Sequence, residues 1–195
     1  LIEKLKQKTE QLEKSNAHLQ SLATRDNLTG LYNQRYFQER LTAELNLAQR
    51  YQRQFSLLFI DLDYFKLYND TQGHLQGDRL LIDLANLFLS SFRKTDIVCR
   101  YGGDEFAVIL PETPWQKARM IAAKVKGWVA DHPFYGRETL PQGRVTISIG
   151  LVAYPDHDAD AKGLLRHADR LLYEAKKNRG RFRAPAETST TDGDS

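Results

Sequence analysis

The chain has 195 residues, of which 41% are hydrophobic, and this length suits one domain with an appendage. Its single cysteine, Cys99, excludes a disulfide framework and predicts a reducing compartment, so we expect a cytoplasmic location. The 28 Lys and Arg residues nearly balance the 25 Asp and Glu residues and are dispersed, and no apolar run approaches the roughly 20 residues of a membrane span. We therefore expect neither a nucleic-acid nor a membrane partner for this segment.

Residues 1–25 predict a coiled-coil signalling helix, here called the stalk. Heptad a and d positions recur at alternating spacings of three and four, at Ile2, Leu5, Thr9, Leu12, Asn16, Leu19 and Ala23. Asn16 at an a position favours a parallel homodimer, and the alternative is an amphipathic helix packed on its own domain. Because the chain opens on Leu1 in mid-heptad, we expect an upstream sensor domain.

A turn separates the stalk from the rest of the chain. Residues 26–30 read Asp-Asn-Leu-Thr-Gly, a composition typical of turns, and Asn33 is placed to cap a second helix. Apolar residues at helical spacing give that helix one buried face, formed by Phe37, Leu41, Leu45 and Ala48.

An uninterrupted apolar run at residues 55–60 predicts a strand buried on both faces. Asp61 and Asp63 end it, and strand alternation places both acids on one face with Leu62 on the other. Residues 66–78 are rich in Asn, Asp and Gly and predict a loop, after which helical spacing continues to about residue 92.

Two side chains of this predicted loop, Asn69 and Asp78, could read a guanine base, because an amide and a carboxylate match the donors and acceptors on its edge. The alternative, and the more frequent role of such residues, is turn formation. Two charged residues, Arg93 and Asp96, follow the next helix. From the residues alone they could be an ordinary pair of solvated charges.

Residues 97–110 predict a β-hairpin with Gly102 and Gly103 at its turn, followed by Asp104 and Glu105. The glycines leave room for a backbone or a ligand to approach the acids. Alone, this could be an ordinary polar turn. If the strand that ends in Asp61 lies beside the hairpin, however, carboxylates from both meet at one point, as the ligands of a nucleotide-bridging Mg²⁺ ion do.

Structural roles are predicted for the elements that follow. A helix begins in the sequence Thr-Pro-Trp-Gln at residues 113–116, where Thr113 can act as the cap. Trp115 and Trp128 are expected to pack in the core. Residues 145–153 predict another strand.

The end of the chain carries one further metal candidate, in the loop with Asp156, His157 and Asp158. Adjacent loop residues rarely converge on one ion, so a solvated acidic loop is favoured. The last helix ends in a segment rich in basic residues, at positions 176–181, and the composition of residues 185–195 predicts a disordered tail. The order of elements predicts an α+β fold with a mixed, mostly antiparallel central sheet flanked by helices.

Taken together, these motifs resemble the GGDEF family of diguanylate cyclases, whose name is the sequence of residues 102–106. The resemblance also takes in further blocks that occur in the family's order, between about residues 24 and 183. These blocks are residues 26–33, 61–66, 69–74, 77–78, 148–150 and 168–176. The resemblance implies a palm-like sheet related to that of nucleotidyl cyclases, in a GGDEF domain at residues 26–184.

The family's reaction joins two GTP molecules into cyclic di-GMP and releases two pyrophosphates. The resemblance implies that Asp61, the Leu62 carbonyl and Asp104 hold Mg²⁺, or Mn²⁺ in its place. It further implies that Asp104 helps to deprotonate the attacking hydroxyl and that Lys66 stabilises charge on the phosphates. Glu105 is the second choice for metal or base.

Substrate-binding residues also follow from the resemblance. It places Asn69, His74 and Asp78 around guanine and ribose, and the backbone of Phe65 near the phosphates. Lys176 matches a phosphate-binding lysine of the family. Four residues later Gly180 stands where the family has an arginine. Arg179 and Arg181 flank it, and either could replace that arginine; Arg181 is included among the candidate site residues.

Regulation is implied as well, because Arg93 and Asp96 match the family's inhibitory site for cyclic di-GMP. One domain holds one GTP, so the resemblance implies a homodimer aligned by the stalk. The alternative is a catalytically silent module that binds GTP or cyclic di-GMP and signals through the stalk. A dimerising coiled coil with an inert cap would leave the paired carboxylates unexplained.

Overall fold

The computed structural model describes residues 23–177 and 182–183, together with positions 4, 6–9, 11 and 13 of the N-terminal segment. These seven N-terminal positions are helical and exposed. Apart from Thr9 and Ala23, the predicted heptad seam lies outside the described residues, as do Arg179, Arg181 and the predicted tail. The coiled coil and the domain limits remain predictions.

A mixed five-stranded sheet forms the centre of the described chain, with the strand order β2-β3-β1-β4-β5. Neighbouring strands are antiparallel, except that β5 runs parallel to β4. The predicted mixed, mostly antiparallel sheet is confirmed. The strands are β1 (Phe55–Leu62), β2 (Ile97–Arg100), β3 (Glu105–Pro111), β4 (Ile147–Tyr154) and β5 (Phe182–Arg183).

Helices cover both faces of this sheet. They are α1 (Gln34–Tyr51), α2 (Phe65–Gln72), α3 (His74–Ser91), α4 (Trp115–Asp131) and α5 (Ala161–Lys177), with short 3₁₀ turns at Arg137–Thr139 and Pro141–Gly143. One core cluster joins α3 and α4 to the sheet, and the other joins α1 and α5 to the opposite face. Successive residues of β1 enter alternate clusters, which explains its uninterrupted apolar run.

The outer edge of β2 is covered by the segment that precedes α1. Tyr32 bridges to Cys99, its N–H donates to the Val98 carbonyl at 3.3 Å, and its own carbonyl accepts from the Arg100 N–H at 2.9 Å. Asn33 caps α1 as predicted, since its Oδ1 accepts from the Tyr36 N–H at 3.0 Å. The junction between the predicted stalk and the domain is therefore hydrogen-bonded to the outer edge of the sheet.

The prediction of a loop at residues 66–78 is wrong, because this segment forms α2 and the start of α3. Only Gly73 breaks the helical path, with a φ of 87° that favours glycine. Tyr68 is buried within the core cluster that includes α3, and this packing outweighs the turn-forming composition. The two helices pack against each other, and this places Asn69 beside Gly77.

Two smaller expectations also differ from the structure. Trp115 is buried as predicted, but Trp128 is 41% exposed. The α4 helix starts after Pro114, and the Thr113 hydroxyl donates to the Pro111 carbonyl instead of capping the helix. Among the residues described, no helix is long and apolar enough to cross a membrane.

Candidate active site

The end of β1 and the turn between β2 and β3 meet at one corner of the sheet. Asp61 lies opposite Glu105 in the β1–β3 register, and the Leu62 N–H donates to the Asp104 carbonyl at 3.2 Å. The turn closes through the N–H groups of Tyr101 and Gly102, which donate to the Glu105 carbonyl at 2.8 and 3.2 Å. The predicted hairpin and its place beside the strand are confirmed.

Asp61 is a buried carboxylate at this corner. It is 5% exposed, and Lys176 Nζ lies 2.7 Å from its Oδ2. Burial raises the pKa of Asp61 to about 6, the hydrogen bond from Lys176 opposes this rise, and the nearby charges of Asp104 and Glu105 add to it. The corner therefore concentrates negative charge that a bound cation would stabilise.

The donor set at this corner fits Mg²⁺ in partnership with a nucleotide. Within the described ranges, no three His, Cys, Asp or Glu side chains are grouped closely enough to hold a metal ion by themselves. Mg²⁺ is commonly held by only one or two carboxylates plus substrate phosphates. Asp61, Asp104 and Leu62 line one cavity and offer carboxylate and carbonyl oxygens of that kind, which suit Mn²⁺ as well.

This cavity has a volume of about 290 Å³ and is bounded by the start of α2. Tyr64 precedes the helix in the left-handed region, and in the described structure no side chain caps the N-terminus of α2. The first-turn N–H groups of a helix carry partial positive charge. With Phe65, Lys66 and Lys176 in the lining, the cavity suits a phosphate chain.

The predicted base-reading residues lie on α2 and α3, and none of them lines this cavity. Asn69 and Gly77 touch, since a Cβ atom at position 77 would lie 1.8 Å from Asn69 Oδ1. That oxygen is buried and has no hydrogen-bond partner among the residues described. Asp78 follows Gly77, and His74 is exposed at the start of α3. Asn69 and Asp78 are thus near each other, although the predicted loop is absent.

Arg93 and Asp96 line a second cavity of about 200 Å³ at the edge of β2. The Arg93 N–H donates to Asp96 Oδ2 at 2.9 Å, a bond that uses the Arg93 backbone and not its guanidinium group. Sequence reasoning missed Arg25 and Tyr32 in this lining. The Arg25 guanidinium stacks 3.8 Å from the Tyr32 ring centroid. Only the pairing of Tyr32 with β2 brings them here, so no local sequence signal marks them.

Arg100 is another residue that the sequence did not single out. Its Nε lies 3.2 and 3.1 Å from the carbonyls of Gly102 and Gly103, and its Nη2 donates to the Gly103 carbonyl at 2.8 Å. Its Nη1 donates to the Asp26 carboxylate at 3.1 Å. Burial raises the pKa of Asp26, but hydrogen bonds from Thr29 and Arg100 outweigh burial and leave this pKa lowered. Arg100 therefore ties the hairpin turn to the stalk junction.

The chain was compared with known proteins. Residues 23–181 match the model of the family described as "Diguanylate cyclase, GGDEF domain". The response regulator PleD of Caulobacter vibrioides is 40% identical over 174 residues, covering 88% of this chain and 38% of PleD. The probable diguanylate cyclase DgcC of Escherichia coli is 37% identical over 164 residues, covering 82% of this chain and 42% of DgcC. This chain therefore spans less than half the length of these relatives.

A solved structure has the same architecture. The coiled coil and GGDEF domain of DgcB from Caulobacter crescentus, in complex with c-di-GMP, superposes with a TM-score of 0.79 at 27% sequence identity. The match covers 93% of this chain and 97% of that one.

Proposed function

Because the chain belongs to the GGDEF domain family of diguanylate cyclases, we propose that it condenses two GTP molecules into cyclic di-GMP. The observation that carries this proposal is the corner where Asp61 and Asp104 meet beside the uncapped start of α2. Lys66 and Lys176 line the same cavity, so carboxylates for a cation and positive groups for a triphosphate lie together.

In each half-reaction the 3′-oxygen of one GTP forms a bond to the α-phosphorus of the other. The bond from that phosphorus to the β-phosphate oxygen breaks, and pyrophosphate leaves. Asp104 accepts the hydroxyl proton, with Glu105 as the second candidate. Mg²⁺ or Mn²⁺ at Asp61, Asp104 and the Leu62 carbonyl would supply neutralisation of phosphate charge.

Phosphate binding is assigned to Lys66, Lys176, Arg181 and the first N–H groups of α2. Lys176 Nζ lies 2.7 Å from Asp61 Oδ2. Its ammonium group is therefore beside the carboxylate that would hold the cation, within the cavity that would take the phosphates. The backbone at Phe65 adds a donor at the helix start.

The binding of guanine and ribose is assigned to Asn69, His74 and Asp78. Support comes from the buried Asn69 Oδ1, which lacks a partner within the described chain. Gly77 has no side chain, which allows Asn69 Oδ1 to lie where a Cβ atom at position 77 would be only 1.8 Å away. An amide and a carboxylate there can pair with the donors and acceptors of a guanine edge.

Catalysis requires two domains, since one domain supplies one nucleotide site. We assign the stalk to a homodimer that brings the two sites together and receives a signal from an upstream sensor. Arg93 and Asp96 are assigned to feedback inhibition by cyclic di-GMP. The cytoplasm supplies GTP and Mg²⁺, and it is the proposed location.

The test is incubation of the purified chain with GTP and Mg²⁺ at several protein concentrations, with nucleotides separated by chromatography. We expect cyclic di-GMP and pyrophosphate in a ratio of one to two, formed at a rate that rises more steeply than linearly with protein. Asp104→Ala is the matched control. Nucleotide binding without product at every concentration would instead favour the silent binding module.

A further inference from the structure

Asp63 is a buried carboxylate in the cavity wall that the proposed reaction does not use. It is 3% exposed, and its N–H donates to the Thr146 carbonyl at 2.9 Å. Its Oδ1 accepts from the Ser148 hydroxyl and its Oδ2 from the Thr146 hydroxyl, both at 2.7 Å. Although Asp61 and Asp63 share a strand end, Asp61 pairs with Lys176 and Asp63 is held by the start of β4.

The anchor at Asp63 precedes a strained turn. Tyr64 has a φ of 60° and a ψ of 22°, a left-handed conformation that is unfavourable for a residue other than glycine. Such a conformation persists only where the surrounding structure determines it. On the opposite side of the chain, the Leu62 N–H is bound by the Asp104 carbonyl. The turn is thus fixed on one side by the hairpin and on the other by Asp63.

The turn determines which backbone groups face the cavity. Leu62, Tyr64 and Phe65 all line it, so the Leu62 carbonyl and the start of α2 belong to one four-residue segment. Since β1 holds Leu62, a small rotation at Tyr64 would change the orientation of the α2 N-terminus relative to the Leu62 carbonyl. Lys126 on α4 interacts with Asp63: burial lowers the pKa of Lys126, and the negative charge of Asp63 opposes that shift.

We propose that Asp63 is a positioning residue, whose carboxylate, bound by the hydroxyls of Thr146 and Ser148, fixes the turn that presents the Leu62 carbonyl and the α2 N-terminus to the phosphates. The proposal rests on the proposed function, since it names a residue that shapes the same site. It differs from a role as metal ligand in one respect. A positioning role depends on the hydrogen bonds to β4, whereas a ligand role depends on the negative charge.

Two sets of variants separate these roles. Thr146→Val with Ser148→Ala keeps the carboxylate and removes its hydroxyl donors. Asp63→Asn removes the charge and keeps a side chain that can bond to both hydroxyls. Thr42→Val is the matched control, because that hydroxyl donates to the Gln38 carbonyl within α1, away from the site. The single variants Thr146→Val and Ser148→Ala serve if the double variant is unstable in thermal unfolding.

The first measurement is amide hydrogen exchange at residues 63–66, followed by mass spectrometry. The double variant should exchange about tenfold faster there, because two buried hydrogen bonds are lost. The second is calorimetric binding of Mg²⁺ with a GTP analogue that has a methylene between the α- and β-phosphates. Loss of such supporting contacts typically weakens binding about 10- to 100-fold. Asp63→Asn should lose much less in both measurements.

Unchanged exchange at residues 63–66 in the double variant would overturn the proposal. It would also be overturned if Asp63→Asn abolished binding while the double variant bound like the wild type, since Asp63 would then act by its charge. If the wild-type chain bound no nucleotide but the exchange effect appeared, the proposed function would fail and the anchoring role would stand.

Discussion

The pair formed by Arg100 and Asp26 should couple the stalk junction to the hairpin by a measurable free energy. The two side chains are only 16% and 23% exposed, and the guanidinium also binds the Gly102 and Gly103 carbonyls. Partly buried hydrogen bonds to charged groups contribute about 1.5–3 kcal/mol each. Some of this is screened by solvent, so we expect a coupling energy of about 1–2 kcal/mol between Arg100→Met and Asp26→Asn.

The assay is a double-mutant cycle on the free energy of urea unfolding at pH 7, read by circular dichroism. The exposed pair of Arg35 and Glu39, 73% and 57% exposed, is the control and should give about 0.3–0.5 kcal/mol. Because the pKa of Asp26 is lowered in the folded state, its contribution is full above its unfolded pKa of about 3.9 and is lost as the pH falls through the folded value. A coupling at pH 7 no larger than that of the control pair would refute the reasoning.

Three further outcomes are expected. Asp104→Ala should abolish cyclic di-GMP formation and leave the circular dichroism spectrum unchanged; retained turnover would remove Asp104 from the proposed metal and base roles. Arg93→Ala should raise the cyclic di-GMP concentration needed for half-inhibition at least about tenfold, whereas Arg35→Ala should not; equal curves would exclude the Arg93 site. The third outcome concerns stability in EDTA, which removes metal ions. The rise of the Asp61 pKa from 3.8 to about 6 stabilises the folded state by about 3 kcal/mol at low pH, and this stabilisation is lost as the pH rises from about 4 to 6. Asp61→Asn should remove most of this dependence in urea unfolding at pH 4 and pH 7, and an unchanged dependence would contradict the assigned burial.

The parts of the site that could be predicted are those whose signal is contiguous in sequence. The apolar run before Asp61 and the glycines before Asp104 each define a local element, and the antiparallel register then joins them. The nearly continuous apolar composition of β1 also predicts that both of its faces are buried, as they are in the structure.

The parts that could not be predicted depend on contacts between distant residues. Asp26 and Arg100 are 74 positions apart, and Asp63 and Ser148 are 85 apart, so no local pattern links them. The prediction for residues 66–78 was wrong for a different reason. Their composition favours turns, but burial of Tyr68 stabilises a helix that composition alone does not favour.

The pairing of Tyr32 with β2 has a consequence for where this protein can be cut. An outer strand with unpaired N–H and C=O groups is a template for association with other chains, and proteins protect such edges by covering them. Here the cover is the segment just before α1, which occupies the Val98 carbonyl and the Arg100 N–H. A fragment that begins at Asn33 would keep the strands and helices described from α1 onward and lose this cover. Its tendency to associate through β2 would then rise with protein concentration, which makes the junction a protective element as well as a connection.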